Sequence, residues 1–171
     1  MAAIRQPPRI VPLDQAHDRA AFACGTLPLD TYLQKQARQD MRRRVAVTYV
    51  LAGSNDREIA GYYTLSATSL LLADLPETIA RQLPRYPAVP ATLLGRLAVA
   101  SKSRGQRLGE LLLMDALHRS AGTSRTIGST AVVTDAKDED AQAFYERYGF
   151  LRLTTVPRRL FLPMATMEAV L

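Results

Sequence analysis

The 171-residue sequence contains one cysteine, Cys24, and two histidines, His17 and His118. A lone cysteine excludes an intrachain disulfide framework, and two histidines so far apart form no metal-ligand cluster, so no metal is expected. No stretch reaches the roughly 20 apolar residues that a membrane helix needs, and the opening MAAIRQPPRI has no apolar signal core. Neither membrane insertion nor secretion is expected, and a reducing cytoplasm fits best. Repeats and low-complexity linkers are lacking. Neither G-x-G-x-x-G nor Gly-Lys-Ser/Thr occurs, which excludes the dinucleotide fingerprint and the Walker loop.

Positive charge, by contrast, is in excess. Lys and Arg number 22 against 16 Asp and Glu, a formal net charge of +6. An anionic partner follows, and since a phosphate-bearing small ligand would account for only part of the excess, a polyanionic substrate is the sharper expectation. With 47% hydrophobic residues, the chain suits one well-buried domain over residues 1–171.

Along the chain, residues 9–13 read as a strand, followed by a helix capped by Asp14 and broken at Phe22-Ala23-Cys24-Gly25. Asp30 is expected to cap a second helix ending near Arg44. At about 100° per residue its Leu29, Leu33, Ala37 and Met41 share one face, with Lys35, Arg38 and Arg42 opposite. Residues 45–51 and 59–66 read as an antiparallel hairpin, with turn residues at 53–56. A short helix falls within residues 69–83, before the proline-rich LPRYPAVP. Residues 93–99 form a strand and a helix runs from Leu108 to about Gly122, apolar nearly all round and so buried on most sides. Residues 127–134 return as a strand, a crossover that makes it parallel to the previous one. A helix over residues 138–148, closed by Gly149, and a hairpin of 150–153 with 159–163 complete a mixed sheet.

The run Arg104-Gly105-Gln106-Arg107-Leu108-Gly109 thus reads as strand, glycine loop, helix. A helix start leaves backbone N–H groups without intrahelical partners and carries partial positive charge, so main chain alone can bind an anion there. Residues 94–117, LGRLAVASKSRGQRLGELLLMDAL, resemble the acetyl-CoA site of the GNAT superfamily of N-acetyltransferases, whose signature is Arg/Gln-x-x-Gly-x-Gly/Ala. Arg104 and Gly109 fill its first and last positions, while Arg107 stands where a glycine is usual. Its side chain either points away from the cofactor, adds a cation to it, or intrudes on the cradle.

The resemblance implies the GNAT fold, an α/β (α+β) architecture with a mixed, mostly antiparallel central sheet and helices on both faces. It implies that the backbone of Leu97, Ala98 and Val99 pairs with the pantetheine arm of acetyl-CoA, and that a strand amide polarises the thioester carbonyl. Arg104, Gly105, Gln106, Arg107, Leu108, Gly109 and Glu110 would hold the pyrophosphate. In AFYERYGF, residues 143–150, Tyr145 matches the tyrosine that lies near the thioester sulfur in this superfamily, and becomes the general acid for the departing thiolate. Phe144 either flanks the pantetheine or packs in the core. Glu146 and Glu110 are possible water-mediated bases, although nothing in their spacing selects them.

Further segments are similar to one branch of the superfamily. Phe22-x-Cys24-Gly25, Leu29-Asp30-x-Tyr32-Leu33, Gly61-Tyr62-Tyr63-x-Leu65, Leu83-Pro84-Arg85-Tyr86-Pro87 and Leu94-Gly95-Arg96-Leu97-Ala98-Val99 resemble the acetyltransferase toxins of bacterial type II toxin-antitoxin systems. That resemblance implies acetylation of the α-amino group of an aminoacyl-tRNA, which blocks translation. It also implies a homodimer, a ribbon-helix-helix antitoxin, and operator DNA bound through the toxin-antitoxin complex. The charge pattern agrees: Lys35, Arg38, Arg42 and Arg43, with Arg85 as an extension, could follow a phosphate backbone or form an ordinary solvated face. Two other readings remain at this level. One is a GNAT enzyme acting on a protein N-terminus, a lysine or a small-molecule amine; the other is an inactive acyl-CoA-binding regulatory module. Cys24 is assigned to packing.

Overall fold

The computed structural model describes residues 8–171. Seven strands are hydrogen-bonded in one sheet of order β1-β2-β3-β4-β5-β7-β6: β1 Ile10–Pro12, β2 Val47–Ala52, β3 Ile59–Leu71, β4 Ala88–Val99, β5 Ala131–Asp135, β6 Leu151–Arg152 and β7 Arg159–Pro163. The pairs β1–β2, β5–β7 and β6–β7 are antiparallel, and β4–β5 is parallel with Leu93 opposite Val133. The mixed, mostly antiparallel sheet expected from the sequence is present. No helix among the described residues is long and apolar enough to cross a membrane.

The chain divides into two compact units, one taking in residues up to Thr64 with Arg96–Asp115, the other Leu65–Gly95 with Ala116–Leu171. In the first unit, Leu33, Ala37, Val50 and Tyr62 are fully buried in a cluster with Phe22, Cys24 and Ala98. Phe22 meets Tyr62 edge-on at 5.5 Å, and the Tyr62 hydroxyl donates to the Leu29 carbonyl at 2.7 Å. The first helix differs from expectation. Leu27–Thr31 (α1) starts before Asp30, with Pro28 in its first turn, and passes through a π-helical turn, Tyr32–Gln36, into Ala37–Arg42 (α2). Asp30 is instead inside the helix, accepting from the Cys24 amide at 2.8 Å.

No helix follows Asp14. Its carboxylate accepts from the Ala16 amide at 2.8 Å, its own amide donates to His17 Nδ1 at 3.0 Å, and Asp18 accepts from Ala21. These short-range bonds compete with a helical ladder and here replace it.

The second unit has its own cluster, in which Val133 and Phe161 are fully buried beside Leu70, Val89 and Leu153. The helix α4, Leu108–Thr123, crosses from the first unit into this one along the chain and leads to β5. Ile127 is not in β5, because its amide continues the helix-end turn by donating to Thr123 at 3.0 Å and its side chain is exposed. β5 therefore begins at Ala131. Asp138 caps α5, Glu139–Arg147, as expected, its side chain accepting from the Ala141 amide at 2.8 Å. Gly149, at φ +94°, closes that helix: the Phe150 amide bonds the Tyr145 carbonyl at 3.2 Å. Two further helices are present, α3 at Glu77–Ala80 and the unexpected α6 at Met164–Val170.

Candidate active site

At the end of β4, Ser101–Ser103 makes one tight turn, and residues 104–107 lead exposed into α4. The first bond of the helix runs from the Leu111 amide to the Arg107 carbonyl at 3.2 Å. The amides of Leu108, Gly109 and Glu110 consequently have no intrahelical acceptor, the condition an anion site requires. Gly105 stands at φ +82° and Arg107 at φ +56°. Arg107 thus holds the left-handed conformation that glycine adopts freely, which keeps the loop's path although the glycine is absent. Arg107→Gly is expected to stabilise the fold by about 0.5–1 kcal/mol, the left-handed penalty less the extra unfolded-state entropy of glycine, and Arg107→Ala is not. Both remove the cation. A salt-sensitive rise in the KM for acetyl-CoA in both variants would identify a charge contact, and an unchanged KM a side chain turned away.

The root of the loop is fastened within the same unit. The Ala100 amide donates to Ala60, the Ser101 amide to Ala23, both at 2.8 Å, and the Arg104 guanidinium donates to the Cys24 carbonyl. Gly25, at φ +86°, lies so close that a Cβ there would sit 3.0 Å from Arg104 Nη2. The Arg104 side chain is therefore engaged with protein, leaving its backbone to face the loop. Cys24 is buried, with Sγ 3.6 Å from the Thr26 carbonyl, in keeping with a packing role.

Lys102, in the turn itself, pairs with Glu58 of the β2–β3 connection, and the Ser54 amide donates to Glu58 at 2.9 Å. Lys102 first and Ser54 second lower the Glu58 carboxyl from 4.5 to about 2. A folded value below the unfolded one gives stability that is complete above pH 4.5 and lost as the pH falls toward 2. Glu58→Gln is expected to flatten the fall of Tm across that window, as a thermal-melt series against pH would show.

Within the strand, Ala98 is buried while Leu97 and Val99 are half-buried. Gly61 of β3 permits a close approach, since a Cβ there would lie 2.9 Å from the Ala98 carbonyl oxygen and 2.8 Å from Leu112 Cδ1. Sequence reasoning did not connect Arg96 with any partner. Its guanidinium stands 3.4 Å from the centroid of the Tyr32 ring, and the Tyr32 hydroxyl donates to Asp40 at 2.8 Å. Burial, with help from Asp40, pushes the Tyr32 phenol up to about 12. Leu27, Pro28, Leu29, Lys35 and Arg96 line a cleft beside this ring. Only chain folding joins positions 32 and 96, so no local spacing announces the pair.

In the second unit, Tyr145 is only 6% exposed and sits between Phe144, at 5.3 Å, and Phe150, at 5.4 Å. Burial raises its phenol, and the nearby Thr134 side chain partly offsets the rise. It therefore carries its proton throughout the neutral range, as an acid must. Phe144 is half-buried and also packs on Tyr148 at 5.2 Å. Arg152 at 2.8 Å and Gln142 at 2.9 Å hold the Glu146 carboxyl below its usual range, which weakens it as a base.

Residues 46–152 match the Acetyltransferase (GNAT) domain family. The chain belongs to the GNAT acetyltransferases. This GNAT acetyltransferase is 34% identical over 170 residues to the probable toxin TacT of Sinorhizobium fredii, covering 95% of this chain and 94% of that one. It is 33% identical over 165 residues to the tRNA-acetylating toxin of Mycobacterium tuberculosis, covering 93% of each. Among solved structures, a tyrosine-to-phenylalanine mutant of KacT matches at TM-score 0.90 and 29% identity, over 97% of this chain and 100% of that one. AtaT complexed with acetyl-methionyl-tRNAfMet matches at 0.89 and 27%, over 96% and 99%. AtaTR bound with AcCoA matches at 0.83 and 28%, over 95% and 97%, and a KacTA–DNA complex at 0.80 and 27%, over 96% and 98%.

The basic residues of this GNAT acetyltransferase are disposed as follows. Lys35, Arg42 and Arg43 are exposed and Arg38 is half-exposed in the first unit; Arg85 is exposed in the second. The π-helical turn at Tyr32–Gln36 departs from the even angular spacing used to place Lys35 opposite the apolar face, yet Leu33 and Ala37 remain fully buried.

Proposed function

We propose that this acetyltransferase transfers the acetyl group of acetyl-CoA to the α-amino group of an aminoacyl-tRNA and thereby blocks translation. The observation that carries the reading is similarity over nearly the whole chain to a tRNA-acetylating toxin, supported by the likeness to AtaT complexed with acetyl-methionyl-tRNAfMet. The free amides at the start of α4 suit the pyrophosphate of acetyl-CoA, with Gly105, Gln106, Leu108, Gly109 and Glu110 supplying backbone and Arg107 a cation. Leu97, Ala98 and Val99 pair by main chain with the pantetheine arm, Phe144 flanks it, and Arg104 contributes its backbone. Tyr145 protonates the departing thiolate.

The acceptor amine needs little help from a base. Free α-amines titrate near 7.7–8.0, and the ester of an aminoacyl-tRNA lowers that value, so a useful fraction is neutral at cellular pH. Lys35, Arg38, Arg42, Arg43 and Arg85 bind the tRNA backbone. In this reading the enzyme works in the cytoplasm as a homodimer, is neutralised by a ribbon-helix-helix antitoxin, and represses its operator only through that complex. The test is cell-free translation with purified enzyme. Inhibition that requires acetyl-CoA is expected; full translation while a protein N-terminus, lysine or small amine is acetylated would overturn the reading, as would a lack of acetyl-CoA binding by calorimetry.

A further inference from the structure

Between α1 and α2 the helix ladder widens by one residue, the Ala37 amide donating to the Tyr32 carbonyl five residues back. Such π-helical turns are frequent at functional sites. Beside this one lies a cleft of about 550 Å³, whose wall combines apolar Leu27, Pro28 and Leu29 with the cations Lys35 and Arg96. Leu27 is 76% exposed, so its apolar surface is still in water and can be buried by a ligand. The Arg96 Cζ lies 3.4 Å from the Tyr32 ring centroid, close enough only for a flat stack. The ring thus takes the face of the guanidinium and leaves its N–H edge. Asp40 is occupied elsewhere: Oδ2 accepts from the Tyr32 hydroxyl and Oδ1 from Gln36 Nε2, both at 2.8 Å.

Two neighbours identify the occupant. Arg96 directly precedes Leu97 in β4, so the cleft wall adjoins, within one residue of strand or about 3.3 Å, the segment proposed to pair with the pantetheine arm. Lys35 is also the first cation of the stripe proposed to follow the tRNA backbone. A group that reaches from that backbone to the thioester passes this cleft, and on charged tRNA that group is the aminoacyl residue.

We propose that the cleft receives the side chain of the aminoacyl group and favours apolar ones, and that Arg96 is the specificity-determining residue that rejects a cationic side chain. The inference rests on the reading that aminoacyl-tRNA is the acceptor. An apolar side chain covers Leu27 and Leu29 without giving up a hydrogen bond to water. A lysyl or arginyl side chain would bring a like charge against Arg96 and Lys35 at a site shielded from water on several sides. Arg96 cannot relieve that repulsion by losing its proton, and the Tyr32 ring against its face holds it in place.

The test recharges bulk deacylated tRNA, by an acylating ribozyme, with glycine, norleucine or lysine, and measures kcat/KM for acetylation of the α-nitrogen. Norleucine is lysine without its terminal ammonium, so the ratio between these two acceptors reads the charge effect alone. Norleucyl-tRNA is expected to exceed lysyl-tRNA at least about 10-fold. Arg96→Gln should shrink that ratio to about threefold or less. Leu27→Asp, at an exposed site opening α1 where an acid suits the helix, should shrink it at least about fivefold by the opposite charge. In both variants the KM for acetyl-CoA should stay within about twofold of the parent. Equal norleucyl and lysyl rates in the parent, acetylation of glycyl-tRNA alone, or a ratio unchanged in both variants would overturn the inference. Arg96→Gln losses equal for both acceptors would show a structural role, and Leu27→Asp decides if Arg96→Gln does not fold. Naturally charged bulk aminoacyl-tRNA, run beside these, tests the reading underneath: no acetylation there removes that reading together with the inference.

Discussion

Replacing Tyr145 with phenylalanine is expected to lower kcat by about 10²- to 10⁴-fold, the range that a positioned general acid supplies. The KM for acetyl-CoA should change little, because the hydroxyl is proposed to act on the departing thiolate and not on cofactor binding. Folding should survive. The ring keeps its contacts with Phe144 and Phe150 and the helix end remains closed by the Phe150 amide, so loss of the hydroxyl should cost no more than about 0.5–1.5 kcal/mol. Steady-state kinetics beside a thermal melt separate the two effects. A large loss of Tm accompanying the loss of rate would point to packing as the residue's main contribution.

Gly61→Ala should act on stability and catalysis together. The added Cβ would lie 2.8 Å from Leu112 Cδ1, a side-chain end that can swing away, but also 2.9 Å from the Ala98 carbonyl oxygen, which is backbone and cannot. Strand β4 must shift, at a cost of about 1–3 kcal/mol for overpacking. Ala98 belongs to the segment proposed to pair with the pantetheine arm, so the shift should also misplace the thioester. A displacement of about 1 Å can cost as much as 10²-fold in rate. Chemical denaturation and the KM for acetyl-CoA are expected to worsen in the same variant, whereas a variant with lower stability and unchanged kinetics would detach this strand from the cofactor.

The features read correctly from the sequence are those with short-range causes. Asp138 followed by an acidic first turn announced α5, Gly149 its end, and the alternation of apolar run, glycine loop and apolar run announced the parallel β4–β5 crossover. Errors arose where a local signal had two outcomes. Asp14 has the chemistry of a helix cap, yet His17 and Ala16 offer it a closed turn. Ile127 is β-branched, but three preceding turn residues carry the helix-end bonding past it. α6 lies beyond the last strong pattern, where seven residues give little periodicity to read.

The candidate site divides in the same way. Tyr145 and the loop from Arg104 to Gly109 are contiguous motifs and could be seen directly. The partners that hold them could not: Arg104 binds the carbonyl of Cys24, and Arg96 covers Tyr32. Each contact joins residues distant in sequence, and each partner type, a backbone carbonyl or a core tyrosine, is ordinary in isolation. The same holds for Arg107. Sequence shows only that a glycine is replaced, whereas its φ of +56° shows that the backbone conformation of glycine is kept.

The central claim is the identity of the acceptor atom, and mass spectrometry of the charged tRNA addresses it most directly. Bulk aminoacyl-tRNA is incubated with the enzyme and acetyl-CoA, digested with ribonuclease, and the released 3′-aminoacyl-adenosine analysed for acetyl groups. The account predicts an acetyl group on the α-nitrogen of the aminoacyl moiety, formed only with acetyl-CoA present and strongly reduced with Tyr145→Phe. Unmodified aminoacyl-adenosine from an enzyme that binds and turns over acetyl-CoA on another amine would contradict it.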